Sequence, residues 1–224
     1  MSESSSEILR ILIADDHEIV RQGVKNLIEN ESDMTICGEA IDGREAVSLS
    51  AATHPDIAVL DLSMPGLNGI EACRQIIREN PNTAVLIFTM HDAEQLIREV
   101  FSVGAKGYLL KSDAGRHLIG AIRCLAAGSH YYSPLLSDVI FQGFLNNSPT
   151  QRGPASTSTI LPTGREREII QLLAEGKSNK DVASILGISV KTAETHRATV
   201  MRKLGFHSIS DLVRYAIRNH IIEA

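Results

Sequence analysis

The chain has no tryptophan and only 4% aromatic residues, which argues against an aromatic-lined pocket for an apolar small molecule. Its three cysteines, Cys37, Cys73 and Cys124, are scattered without metal-ligand spacing. Neither a disulfide framework nor a zinc site is expected, and buried apolar roles suit them better. No segment approaches the ~20 apolar residues of a membrane span. The opening MSESSSEIL has no basic region followed by an apolar one, so a cytoplasmic protein with no membrane partner is expected. No phosphate-binding string of the G-x-x-x-x-G-K-[ST] type occurs, so ATP is not the expected phosphoryl donor.

What charge there is divides unevenly. Residues 1–130 carry 19 acidic against 11 basic side chains, net −8, whereas residues 163–224 carry 7 against 10, net +3. A basic end on an acidic chain points to a polyanion partner for that end alone. At 224 residues the chain has room for two ordinary domains. The Ser-, Thr-, Pro- and Asn-rich stretch NNSPTQRGPASTSTILP reads as the linker between them.

In the first half, short apolar runs alternate with helical patterns: RILIA, MTICGEA, DIAVL, AVLIF and GYLL, each followed by a segment of helical spacing. Five such repeats predict an α/β fold, a flavodoxin-like doubly wound five-stranded parallel sheet with helices on both faces. In that fold the carboxyl ends of the strands converge on one crevice. Asp15 and Asp16 follow the first run, Asp61 follows the third, Thr89 closes the fourth and Lys111 follows the fifth. Three gathered carboxylates repel one another and call for a hard cation with oxygen ligands, such as Mg²⁺.

This constellation, with DLSMPGLNG continuing from Asp61, resembles the receiver domain of two-component response regulators over roughly the first 130 residues. The resemblance implies that Asp61 accepts a phosphoryl group from a sensor histidine kinase. It implies that Asp15, Asp16, Asp61 and the backbone carbonyl of Ser63 hold Mg²⁺ or Mn²⁺. Thr89 and Lys111 would bond the phosphoryl oxygens, and Tyr108 would be the switch aromatic that rotates inward as Thr89 moves. Many receivers have Pro after the Lys; this chain has Ser112. His91, two residues after Thr89, is a candidate for controlling the approach of water.

From Thr163 the sequence is punctuated as three helices. Thr163 caps the first, Asn179 the second and Ser189 the third, with Gly176, Gly187 and Gly205 at their ends. A short helix, a glycine turn and a longer helix make a helix-turn-helix. In the third helix Val190, Ala193, Val200 and Leu204 are expected to pack inward, leaving Lys191, Glu194, Thr195, Ala198 and Arg202 outward. The run GKSNKDVASILGISVKTAETH is similar to the LuxR-type helix-turn-helix of the NarL/FixJ class, which implies double-stranded DNA as partner. Glu194, Thr195 and Ala198 match the family's base-facing positions. Lys180, Thr192, His196, Arg197 and Lys203 match phosphate-facing ones. The last helix, with Leu212, Val213, Ala216, Ile217 and Ile221, either covers the domain's own core or forms a homodimer interface once the receiver is phosphorylated.

The expected division is a polar tail at 1–9, a receiver at 10–130, a linker with a short helix through Leu135, Leu136, Val139, Ile140 and Phe144 at 131–162, and a DNA-binding domain at 163–224. The expected function is a phosphorylation-switched DNA-binding regulator of transcription, not an enzyme beyond its own phosphorylation and dephosphorylation. An aspartyl-phosphate phosphatase is disfavoured because a second acid two residues after Asp61 is missing; Ser63 stands there. A ligand-gated sensor lacks the aromatic pocket. An orphan regulator that works unphosphorylated is disfavoured by the complete acidic set.

Overall fold

In the computed structural model, residues 8–133 and 162–223 are described; the expected helix through Leu135 to Phe144 lies outside them. Successive βα units run β1 (Leu9–Ala14), α1 (Glu18–Glu29), β2 (Met34–Ala40), α2 (Gly43–Thr53), β3 (Ile57–Leu60), α3 (Gly69–Glu79), β4 (Ala84–Thr89), α4 (Glu94–Ser102), β5 (Gly107–Leu110) and α5 (Ala114–Ala126). The strands are parallel in the order β2-β1-β3-β4-β5, extended by a two-residue strand β6 (Tyr131–Tyr132) beside β5. The sheet therefore has six strands, not five. Tyr131 and Tyr132, assigned from sequence to the linker, pair with Gly107 and Tyr108. Two residues are too few to show any periodicity, which is why β6 was not read.

The three central strands β3, β4 and β5 are buried at every position, as a sheet covered on both faces requires. One face packs Ile11, Ile13, Val59, Leu86 and Leu109 against Val24 and Ile28 of α1 and Leu118, Ile122 and Leu125 of α5. The other packs Leu12, Leu60, Val85 and Ile87 against Ala46 of α2, Cys73 and Ile76 of α3 and Leu96 and Val100 of α4. Cys73 lies within this core, and burial pushes its thiol up to about 12, so it is an apolar filler and not a reactive thiol.

The second unit is all helical: α6 (Gly164–Ala174), α7 (Asn179–Leu186), α8 (Val190–Lys203) and α9 (Ile209–Arg218). Thr163 and Ser189 cap α6 and α8 as expected, but α7 is capped by Ser178, whose hydroxyl accepts from the Asp181 amide, and Asn179 is its first helical residue. Asp181, three residues after Ser178, completes a reciprocal capping box that Asn179 could not form. Ala193 and Val200 of α8 are buried and Leu204 packs beside them, while Val190, expected inside, is 43% exposed on the first turn. Leu212, Ala216 and Ile221 cover this unit's own core, while Val213 and Ile217 are only half-buried.

Helix α9 opens on another capping box, in which the Ser208 hydroxyl accepts from the Asp211 amide at 3.2 Å and donates to Asp211 Oδ2 at 2.9 Å. That contact, with the His207 amide and Arg214 also bonding it, holds the Asp211 carboxyl down at about 2. A depressed carboxyl contributes stability above its unfolded pKa, and the contribution is lost as pH falls from near 3.8 through about 2. A Ser208→Ala protein should melt a few degrees below the parent at neutral pH, with the gap closing across that acid window. A gap in calorimetric melting temperature that is indifferent to pH would contradict this.

Candidate functional site

At the carboxyl edge of the sheet, β1 delivers Asp15 and Asp16, β3 delivers Asp61, β4 ends in Thr89 and β5 is followed by Lys111. The β1–β3 ladder continues through the bond from the Asp61 amide to the Ala14 carbonyl at 2.8 Å, so two of the acids are placed by backbone pairing. The Lys111 ammonium lies 2.7 Å from Asp15 Oδ2 and 3.0 Å from Asp61 Oδ2. Asp61 Oδ1 accepts the Leu62 amide at 2.8 Å, and Asp15 Oδ1 accepts the His17 amide at 2.9 Å. Both carboxylates are buried, whereas Asp16 is exposed at the mouth. Burial drives the Asp61 carboxyl above its usual range and the Asp15 charge adds to this, outweighing Lys111. Burial would lower the Lys111 ammonium, but the two carboxylates hold it above its ordinary value.

Ligand atoms of Asp15, Asp16, His17 and Asp61 all lie within 4.8 Å of one another. Asp15 Oδ2 is buried, and although the Lys111 ammonium lies 2.7 Å away it has no hydrogen bond of regular geometry. A buried carboxylate oxygen without a regular hydrogen bond, in a cluster with an excess of negative charge, suits a hard divalent cation. Thr89 is buried, with its hydroxyl accepting the His91 amide at 3.3 Å. Tyr108 is fully buried, and its hydroxyl donates to the His91 carbonyl at 2.8 Å. Ser63 stands at the pocket rim, with its hydroxyl 3.0 Å from His91 Nε2.

Sequence reasoning missed the polar seam between the two units. Gln171 of α6, 1% exposed, accepts the Asn68 amide through Oε1 at 2.9 Å and donates through Nε2 to the Met64 carbonyl at 2.9 Å. Glu175 accepts the Gly66 amide at 2.9 Å. These bonds grip the backbone of the loop that leaves Asp61. Around them Glu168 meets Arg44, Gln75 and Arg165, and Arg167 pairs with Glu99 of α4. One signal was available: Gln171 sits between Ile169, Ile170, Leu172 and Leu173, all buried. A polar residue inside a helix stretch that is apolar on both sides needs a partner outside the helix.

On α8, Lys191, Thr192, Glu194, Thr195, Ala198 and Arg202 are exposed and His196 and Arg197 half-buried; Lys180 of α7 is exposed beside them. Arg197 reaches Asn179 at 3.4 Å, and Lys203 is bound to Glu166 at 2.6 Å. Lys203 is therefore held within its own unit by a carboxylate, at 22% side-chain exposure.

A parallel doubly wound domain with an acid-lysine pocket, joined to a helix-turn-helix, defines a DNA-binding response regulator, and sequence comparison agrees. The response regulator receiver domain family matches residues 11–123 and the bacterial regulatory proteins of the luxR family match residues 162–216, so the chain belongs to the two-component response regulators of the LuxR-type class. It is 36% identical to the oxygen regulatory protein NreC of Staphylococcus carnosus over 216 residues, 96% of this chain and all of that one. Among solved structures, a LuxR-family two-component response regulator from Aurantimonas sp. SI85-9A1 is 40% identical, covering 61% of this chain and 97% of that one, with a TM-score of 0.58. The response regulator RcsB in a complex with DNA is 26% identical, covering 92% and 96%, with a TM-score of 0.57. The chain is a phosphorylation-controlled regulator of transcription and not an enzyme of the ordinary kind. Among the described residues no helix is long and apolar enough to cross a membrane.

Proposed function

We propose that Asp61 accepts the phosphoryl group, from the phosphohistidine of a partner sensor kinase, and that the chain catalyses this transfer on itself. The observation that carries the reading is the convergence of Asp15, Asp61, Thr89 and Lys111 on one pocket, with the lysine shared between the two buried carboxylates. Asp15, Asp16, Asp61 and the Ser63 carbonyl would hold Mg²⁺, or Mn²⁺, which when bound neutralises phosphoryl oxygens. A carboxylate oxygen of Asp61 attacks phosphorus in line, the bond from phosphorus to the histidine nitrogen breaks, and its electron pair leaves on the imidazole. The Leu62 amide orients the Asp61 carboxylate by its bond to Oδ1. Lys111 offers its ammonium to the developing charge. The Thr89 hydroxyl gives up the His91 amide to bond a phosphoryl oxygen.

The recognition face of α8 is open in this arrangement, with Glu194, Thr195 and Ala198 exposed. That supports control through release and homodimerisation over simple masking of the DNA-reading surface. Ile209, Val213 and Ile217 lie at helical spacing on the side of α9 that the unit's own core leaves partly exposed, and they are the proposed dimer stripe. Two copies so joined would present two α8 helices to adjacent major grooves. Glu194, Thr195 and Ala198 would meet base edges, and Lys180, Lys191, Thr192, His196, Arg197 and Arg202 the phosphates. Lys203 would join them only by leaving Glu166.

The test is to incubate the protein with Mg²⁺ and acetyl phosphate and record intact mass and size, beside an Asp61→Asn variant and a metal-free control. A phosphoryl adduct confined to the complete reaction, with a shift toward dimer, is expected. An unlabelled parent protein would overturn the reading.

A further inference from the structure

We propose that Glu223 is a specificity-determining residue for phosphoryl transfer: its carboxylate lies across the mouth of the phosphoacceptor pocket and turns away small, highly charged phosphodonors. The inference rests on the reading of Asp61 as phosphoacceptor.

Its basis is the set of groups that Glu223 faces. Glu223 Oε1 is 3.3 Å from His91 Nε2, and that same ring nitrogen is 3.0 Å from the Ser63 hydroxyl, which brings the Glu223 carboxylate to the Ser63 side of the rim. The Ser63 hydroxyl is the largest influence holding this carboxyl below its usual range, and the nearby His91 and His17 side chains act in the same sense. Ser63 is two residues beyond Asp61, His91 two beyond Thr89, and His17 follows Asp16 directly. One carboxylate from the far end of the helical unit thus touches or faces the rim residue of three separate βα loops.

The chain is steered there by specific contacts. Ile221 is buried in the core of the helical unit and its amide bonds the Ala216 carbonyl at 2.8 Å. Just before it, His220 takes a left-handed conformation, φ 51°, which a residue other than glycine adopts at a cost. Its ring meets the His91 ring edge-on, with centroids 5.5 Å apart. Glu223 is then two residues from a fixed point and cannot wander far. The Glu223 side chain is nevertheless 60% exposed, so the gate is lightly held.

Electrostatics give the gate its selectivity. The pocket already gathers Asp15, Asp16 and Asp61 against Lys111, and Glu223 adds another negative charge at the rim formed by these three loops. A small acyl phosphate must approach past that charge. A protein donor docking on the receiver rim can displace the segment and replace its contacts with His91 and Ser63. Once Asp61 carries about −1.5 to −2 charge, the same repulsion keeps Glu223 from returning, which loosens the seam at this end.

The experiment compares labelling rates of the full chain and a Glu223→Gln variant, with Mg²⁺, using acetyl phosphate and the less negatively charged donor phosphoramidate at low and high ionic strength. One charge removed at this range should raise the acetyl phosphate rate about three- to ten-fold. The gain should be smaller with phosphoramidate and shrink with added salt, while Glu223→Asp keeps the parental rate. A parent that labels at the same rate as Glu223→Gln overturns the gate but not the phosphoacceptor. An equal gain with both donors, or one indifferent to salt, overturns selection by charge. A parent and variant that both fail to label would overturn the Asp61 reading and this inference with it.

Discussion

A Gly69→Ala protein is expected to lose roughly 5 to 15 °C of melting temperature and nearly all phosphoryl labelling. Gly69 opens α3 just after its cap, Asn68, and its amide bonds the Leu62 carbonyl at 2.9 Å. A methyl group placed there would lie 2.0 Å from the Asp61 carbonyl oxygen and 2.9 Å from Leu62 Cα. A flexible side chain can move out of the way of such a contact, but here the obstacle is the backbone of the residue that carries the chemistry. Overpacking of a well-filled site costs about 1 to 3 kcal/mol, which for a domain of this size corresponds to the stated shift. The displacement falls directly on Asp61, so activity should suffer more than stability. Gly66 is the informative comparison. It has φ +72° and nothing within 4 Å of an added methyl, so Gly66→Asn, which tolerates that conformation, should melt within a few degrees of the parent. A Gly69→Ala protein with parental melting and labelling would show that α3 can back away from Asp61.

Replacing Lys111 by Met should be the most destabilising change in the pocket when no divalent ion is present. Two buried carboxylates would face each other without the ammonium that now lies 2.7 and 3.0 Å away. Removing one partner of a buried ion cluster costs about 3 to 5 kcal/mol, so melting should fall by about 10 °C or more. Millimolar Mg²⁺ should restore part of that loss, because an ion bound only by the folded state stabilises it by mass action. The recovery should exceed the stabilisation that Mg²⁺ gives the parent, since the variant offers the ion a more negative pocket. Melting curves of both proteins with and without Mg²⁺ decide this. Equal ion responses would mean that the acidic cluster and Lys111 do not share one field.

The strand-end chemistry was legible in the sequence because parallel strands buried on both faces read as unbroken apolar runs, and the residue after each run is placed at one edge. Asp61 after IAVL and Lys111 after GYLL needed no more than that. The caps of α6 and α8 were legible, and the slip at α7, Asn179 for Ser178, arose because both are capping residues and only the reciprocal Asp181 distinguishes them. Val190 was misplaced because spacing alone does not show where on the first turn the helix leaves its neighbours. The contacts of Gln171, Glu175 and Glu223 were not legible. They join residues about a hundred or more positions apart through polar side chains, and no period or spacing within either segment records such a meeting.

The grip of Gln171 on Met64 and Asn68 has one more consequence. Both bonds go to main-chain atoms, a carbonyl on one side and an amide on the other, so the helical unit responds to where the loop runs and not to which side chains it bears. Such bonds weaken steeply once donor and acceptor drift past about 3.2 Å. A loop displacement of well under an ångström, too small to alter the shape of the receiver, would be enough to unfasten this contact. Different residues at Met64 or Pro65 would leave the grip intact as long as the backbone keeps its course.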